Sequence, residues 1–405
     1  MLPSQSSQPK SPPIEEATLS REVADEIVFA LERMSTLSEL GIRWRELEAR
    51  ADAPFFLSWD WIGCWVEEAQ VEPLVLVGRY SNRIVALALL VPSRQHRHLV
   101  IATDAMLLNH VGDYDRDILK IEYNGFLTDR DFGWKAVQIG IQFLFSHLKA
   151  AAISDQTRIR LDELHLKGVP EQYEQYAWAP GIRQTLLSRH GSWNVDLDNI
   201  RASGRDYLDQ LSGNTRYQVR RAKRLYGLRG KLVATRAENV ADALSYFVAL
   251  KTLSTAYWSQ RGQTGAFTYP FFDRFHNTLI RTCVPRRTVE LIRVTAGDQV
   301  VGYLYNFVYK GWVYAYQSAF VFEDDPKYKP GLVTHALCIE QHIRQGSHVY
   351  DFLAGYSRYK SNLGMRGFDM LDIVLQRPMA KLRVENLLRQ IKRSLSKASR
   401  QKVEL

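Results

Sequence analysis

The sequence predicts an α+β protein made of two copies of one layout, each a mixed, mainly antiparallel sheet with flanking helices and a closing strand–helix–strand unit. Three observations carry that expectation. Apolar and β-branched runs meet at the polar turns Ser81-Asn82, Gly297-Asp298 and Lys310-Gly311, which marks antiparallel hairpins. In each half a helix-period segment then separates two strand-like runs, so a parallel pair joined by a right-handed crossover should follow the hairpins. The length of 405 residues exceeds what a single core usually holds and favours two domains.

Taken in order, residues 1–18 are rich in Ser, Gln and Pro without an apolar core, and are expected to be a disordered leader, not a signal peptide. Leu19 to Leu47 alternates charged and apolar residues at helical spacing, and Pro54 to Trp65 is an aromatic cluster expected to be buried. Strands are expected at Leu74 to Val77 and Ile84 to Val91. A helix is expected over Asp131 to Ala151, with Val137, Ile141, Leu144 and Leu148 on one side, and a strand over Arg158 to Leu164. Lys167 to Ile200 holds Gly, Pro and polar residues around a strand near Arg183 to Leu187 and is the best boundary, giving domains 19–180 and 181–380 and a basic tail 381–405. Beyond it, strands at Val289 to Val294, Val300 to Tyr309 and Trp312 to Phe322, a helix, and a strand at Val349 to Leu353 repeat the first order.

Composition narrows the function. A balance of 53 basic to 44 acidic residues leaves a formal charge of +9, which favours anionic partners without proving nucleic-acid binding. Arg216, Arg220 and Arg224 fall on one face of a helix expected within Arg205 to Leu225; that face is either solvated and locally paired or turned to an anionic substrate or RNA. The cysteines Cys64, Cys283 and Cys338 are odd in number and far apart, so reduced thiols and a cytoplasmic setting are expected. No run approaches the ~18–20 apolar residues of a membrane span. The histidines show no metal pattern, since His335 and His342 lie seven apart without an evident carboxylate, and no metal is expected. Nucleophile-elbow and Walker motifs are absent from the sequence, which removes support for serine hydrolase and NTPase readings.

One segment suggests chemistry. The aromatic strand from Trp312 leads into Glu323-Asp-Asp-Pro-Lys-Tyr-Lys-Pro-Gly331 and then a helix with Leu332, Ala336, Ile339 and Ile343 along one stripe. Pro330 suits the first helical turn, and the amides of Gly331, Leu332 and Val333 can face an anion, with Lys327 and Lys329 adding full charges. A pyrophosphate seat and an ordinary helix start both fit that pattern. In the first half the matching position is Thr128-Asp-Arg-Asp131, whose carboxylates repel phosphate, so an anionic donor belongs in the second half.

The run Lys329-Pro-Gly-Leu-Val, Tyr350-Asp-Phe-Leu-Ala-Gly and Ser357-Arg-Tyr-Lys resembles the CelD-like, BioF-type acetyltransferase family of the GNAT superfamily. Trp258-Ser-Gln-Arg-Gly262, Gly265-Ala-Phe267, the Arg216 to Arg224 helix, Trp59-x-Trp61 and Glu122-Tyr-Asn-Gly125 are similar to the same family, so the likeness spans roughly residues 50 to 375. The resemblance implies tandem GNAT-like domains, a relation to FemAB-like peptidyltransferases, acyl-CoA as co-substrate, an amine or sugar acceptor and a link to exopolysaccharide or cellulose metabolism. The phosphate loop here has fewer glycines than is typical of that superfamily.

Acyl transfer from a thioester needs a base for the nucleophile, donors for the oxyanion and an acid for the leaving thiolate. Backbone amides around Ala319, Phe320 and Val321 are expected to hold the pantetheine arm and thioester oxygen. Tyr359 is the expected acid, Tyr356 its substitute near the acceptor, and Arg358 or Lys360 a phosphate contact, although both tyrosines also suit packing. Asp351, mid-strand among apolar neighbours, is either a base or half of a salt bridge. Trp258 and Arg261 are expected to line an acceptor pocket, or Trp258 to be buried between domains. Alternatives are a FemAB-type peptidyltransferase using aminoacyl-tRNA, to which the Arg216 face would contribute, and a non-catalytic scaffold.

Overall fold

The computed structural model describes residues 27–97, 101–148, 151–154 and 157–379; the expected leader and basic tail lie outside them. The first half runs β1 (Ile27–Arg33), α1 (Leu37–Glu48), α2 (Trp59–Ala69), β2 (Leu74–Tyr80), β3 (Arg83–Arg97), β4 (Ile101–Leu108), β5 (Leu127–Thr128), α3 (Gly133–His147), β6 (Ala151–Ser154), β7 (Thr157–Ile159), β8 (Glu163–Pro170), α4 (Tyr173–Tyr176) and β9 (Arg183–Asp196). The second continues α5 (Leu197–Ser203), α6 (Gly213–Gly227), β10 (Leu232–Arg236), α7 (Val240–Ser259), α8 (Pro270–Cys283), β11 (Val289–Ala296), β12 (Gln299–Tyr309), β13 (Trp312–Phe320), α9 (Pro330–Gln345), β14 (Val349–Ala354), α10 (Arg358–Leu363) and β15 (Met365–Gln376).

Thirteen strands form one sheet in the order β1-β2-β3-β4-β8-β15-β9-β14-β13-β12-β11-β10, with β5 on β3; β6 and β7 pair apart. The two expected copies are present. Four antiparallel strands, β1 to β4, lead through α3 to a parallel partner, β8, and β10 to β13 lead through α9 to β14. The strands that complete the copies are exchanged. β9 follows β8 in the chain but pairs with β14, and β15 follows β14 but pairs with β8. β9 and β15 also pair with each other from Met365 opposite Asn194 to Gln376 opposite Arg183, closing the sheet across both halves.

The aromatic cluster is buried as expected, and it joins the halves. Phe55 stacks on Phe307 of β12 with ring centroids 4.3 Å apart, and Trp61 of α2 meets Phe275 of α8 edge-on at 4.8 Å. Such pairs contribute about 0.5–1.5 kcal/mol each beyond the area they bury.

Two readings need correction, and one strand, β15, was not foreseen. Within Leu19 to Leu47, residues 27–33 form a strand, because Ile27 and Phe29 alternate inward against β2 instead of following a helical stripe. The strand pairing with β4 is Glu163–Pro170, later than Arg158 to Leu164, because Leu164, Leu166 and Val169 supply the buried face. β15 gave no signal because Asp369 and Asp372 interrupt its apolar run. In the fold Asp372 accepts from the Gly168 amide and the Ser188 hydroxyl, which satisfies the carboxylate within the sheet.

Candidate active site

β13 and β14 pair only where Trp312–Tyr314 meet Val349–Asp351. Past that point β13 stays on β12, while β14 bends away through Leu353 and Gly355, both in the left-handed region at φ 63° and 102°. The parted strands open a cleft of about 980 Å³. Its walls are β13 from Ala315 to Phe320, the start of α9, the end of α7 with the Gly265–Phe267 turn, the end of β14 and, from the first half, Tyr114 to Glu122.

The start of α9 faces this cleft. Lys329 takes the N-cap position at φ 48°, Pro330 opens the first turn, and the Val333 amide already donates to the Lys329 carbonyl at 3.2 Å. The free amides are therefore those of Gly331 and Leu332, and Val333 is not a ligand donor. A Cβ at Gly331 would stand 3.1 Å from the Phe320 ring, so the glycine lets the helix start pack closely against β13. On β13 the Val321 amide donates to Val301 at 3.0 Å. The two-residue alternation of an antiparallel ladder then directs the Ala319 amide to β12 as well, and turns the Ser318 and Phe320 amides to the opening. Of the three amides expected there, Phe320 faces the opening, joined by Ser318, while Ala319 and Val321 are committed to β12.

Of the two lysines, Lys329 lines the cleft, whereas Lys327 is exposed outside it, 3.9 Å from Asp325. Glu323 at the rim is neutralised by Arg229, which donates through two nitrogens at 2.6 and 3.0 Å. Lys329→Ala should weaken donor binding about tenfold, the value of one charge-assisted contact, and Lys327→Ala less than about twofold. Titration calorimetry with the donor checks both.

Across the cleft, Glu122 of the first half accepts the Ala354 amide at 2.6 Å. Burial pushes its carboxyl up to about 7, an effect that this amide and the Lys360 charge oppose and that Asp351 reinforces. Lys360 donates to the carbonyls of Ala354 and Leu353 at 2.8 and 3.2 Å, which fixes the bend of β14. Burial lowers its ammonium, and Glu122 and Asp351 counteract that. Tyr359 lines the cleft, stacked on His335 with centroids 5.2 Å apart. Burial raises its phenol to about 12, with the Ser318 and Ser357 hydroxyls acting in the opposite sense.

Asp351 lies beneath this surface and is fully buried. It accepts from the Tyr123 hydroxyl and, at 2.7 Å, from the Leu353 amide, so both oxygens are engaged and neither faces the cleft. Its partner is a phenol, not the expected Arg or Lys. Burial raises its carboxyl to about 6, with Tyr123, the Leu353 amide and Lys360 opposing. A raised carboxyl favours the protonated native state, so stability is lost as pH climbs from the ordinary value through about 6. Asp351→Asn should remove that loss in urea melts between pH 4 and pH 8 while keeping turnover within about tenfold, as expected of a positioning group.

At the end of α7, Trp258 lines the cleft at 38% exposure and is not buried between the halves. Arg261 turns away, its guanidinium 3.6 Å above the Tyr257 ring, and Tyr356 is 84% exposed outside the cleft; neither lines it. Aromatic residues Tyr114, Tyr257, Phe267, Tyr316 and Phe322 line much of the remainder. Glu122 was missed as a site residue, although its motif was visible. In the first half Asp129 is buried against Arg50 and Arg83 at 2.9 and 3.0 Å, so the carboxylate before α3 has a structural task. Contrary to the sequence reading, His342 has a carboxylate neighbour: Glu290 Oε1 lies 2.7 Å from its Nε2.

A pair of strands opened beside a helix start, in a sheet whose layout is repeated, has parallels among known proteins. Residues 213–361 match the family model described as an acetyltransferase (GNAT) domain. The chain has the tandem GNAT fold. Among solved structures, FemX is similar at 11% identity and a TM-score of 0.52, over 85% of this chain and 96% of that one. The C-terminal domain of a putative lysylphosphatidylglycerol synthetase from Agrobacterium fabrum aligns at 11% identity and a TM-score of 0.47, over 87% of this chain and 95% of its own. No curated protein matches this GNAT-fold chain. Among the described residues no helix is long and apolar enough to cross a membrane.

Proposed function

We propose that this protein is an acyltransferase that moves an acyl group from a thioester, acyl-CoA or a relative, to an amine or a sugar hydroxyl. The observation that carries the reading is one cleft in which a carboxyl pushed up to about 7, a half-buried phenol and the free amides of an opened strand and a helix start converge. Glu122 takes the proton of the acceptor, since a base poised near neutrality matches its task. The Ser318 and Phe320 amides receive the charge that develops on the thioester oxygen. Tyr359 returns a proton to the departing thiolate, and Gly331, Leu332 and Lys329 hold the phosphate end of the donor. The aromatic walls fit a sugar or a chain with flat apolar faces, in keeping with the exopolysaccharide context that the family resemblance implies. The test is thiol release from a panel of acyl-CoA donors with amine and saccharide acceptors. Acceptor-dependent release supports the reading, and a protein that binds no thioester and releases no thiol sinks it.

A second reading is favoured by the likeness to FemX and by an open basic face of α6 that carries Arg216, Tyr217, Arg220, Lys223 and Arg224. This face is partly neutralised, because Asp209 bridges Arg216 and Arg220 at 3.1 and 3.3 Å and Lys223 meets Glu340 at 2.6 Å. An aminoacyl-tRNA donor would bind there with an affinity falling steeply with salt, whereas a coenzyme held by two amides and one lysine would show a shallow slope.

A further inference from the structure

We propose that Glu290, Cys338 and His342, with Asn306 as fourth donor, form a structural site for a divalent, borderline-soft cation, Zn²⁺ being the ion these donors suit. Cys338 and His342 are one turn apart on α9, so both side chains hang from the same face toward the sheet. Beneath them Glu290 of β11 and Asn306 of β12 are register partners. All four are buried, at 4% exposure or less. The donor atoms of Glu290, Cys338 and His342 lie within 4.8 Å of one another, and His342 Nε2 is 2.7 Å from Glu290 Oε1. A tetrahedral zinc site places its ligand atoms roughly 3.3–3.8 Å apart, a span inside those limits, so small side-chain shifts suffice.

A second observation is independent of the trio. Asn306 Oδ1 is buried and has no hydrogen-bond partner, while its Nδ2 lies 3.1 Å from Glu290 Oε1 and 3.5 Å from Cys338 Sγ. A half-turn of the amide exchanges the two atoms and brings the orphaned oxygen to the point that the other donors surround. The outer contacts match what a metal-bound imidazole and carboxylate need. His342 Nδ1 is 3.1 Å from Ser347 Oγ, and Arg236 stands 3.9 Å from Glu290 Oε2, which leaves Oε1 to the cluster. On binding, the Cys338 thiol proton and the proton between His342 and Glu290 leave to solvent, so uptake is coupled to pH. The thiolate selects against Mg²⁺ and Ca²⁺. The ion would pin α9, whose first turn supplies the Gly331 and Leu332 amides, to β11 and β12.

The full chain, refolded in Co²⁺ without other metals, tests this. A thiolate-to-cobalt charge-transfer band is expected, displaced by equimolar Zn²⁺, retained in Cys64→Ser and Cys283→Ser and lost in Cys338→Ser. Elemental analysis of protein purified without chelator or metal affinity steps should find stoichiometric zinc, and its removal should lower Tm. Folded wild-type protein that gives no cobalt band and carries no zinc overturns the site, leaving a buried hydrogen-bonded pair. That outcome depends on the wild-type chain alone and stands even if Cys338→Ser fails to fold.

Discussion

Glu122→Gln should lower kcat/KM by roughly 10²–10⁴-fold, the range a general base contributes, and erase the acidic limb of the pH profile. The wild-type limb should rise through about 7, because the carboxyl must lose its proton to act and burial holds that proton to about this pH. The same shift makes the variant a clean test. A carboxyl raised in the native state destabilises the fold progressively as pH climbs from the ordinary value of 4.5 through about 7. Gln cannot ionise, so at pH 8 the variant should be at least as stable as the parent, and lost turnover cannot be charged to unfolding. A limb that survives in the variant would assign the base to another group.

Tyr359→Phe should reduce kcat by roughly 10²-fold with little change in KM, since the phenol acts on the leaving group and not on ground-state binding. Phe keeps the ring that stacks on His335, so the wall of the cleft should stay in place. Leaving-group dependence gives the decisive readout. With a thioester of an acidic aryl thiol the departing sulfur needs no proton, and the variant should approach the parent rate. An equal deficit for alkyl and aryl thioesters would show that Tyr359 only shapes the cleft.

The stretch from β13 to α10 was legible because its signals are local: an aromatic strand, a Pro-Gly helix start, an apolar stripe and a second strand. Details set by parity or by distant packing were not. The bulge between Tyr305 and Asn306 displaces the β12–β13 register by one, and with it which β13 amides face the opening. Lys329 enters the cleft and Lys327 does not because the chain turns left-handed between loop and helix, a backbone choice that residue type does not dictate. Glu122 is 232 residues from the Ala354 amide it accepts, and Tyr123 is 228 from Asp351. Their arrival depends on how the halves dock, which periodicity does not encode. The buried carboxylate at Asp351 was visible as a cost, but what offsets it comes from the other half.

The crossed placement of β9 and β15 bears on how this protein could be taken apart. Cleaving the polypeptide between Pro170 and Arg183 would leave the amino-terminal piece without the strand that covers β8, and the carboxy-terminal piece with a strand, β15, that has lost a neighbour. Each fragment would bare an unsatisfied sheet edge, the kind of surface that drives chains to associate. Co-expressed fragments should therefore find each other and restore the whole, whereas either alone should be lost to aggregates.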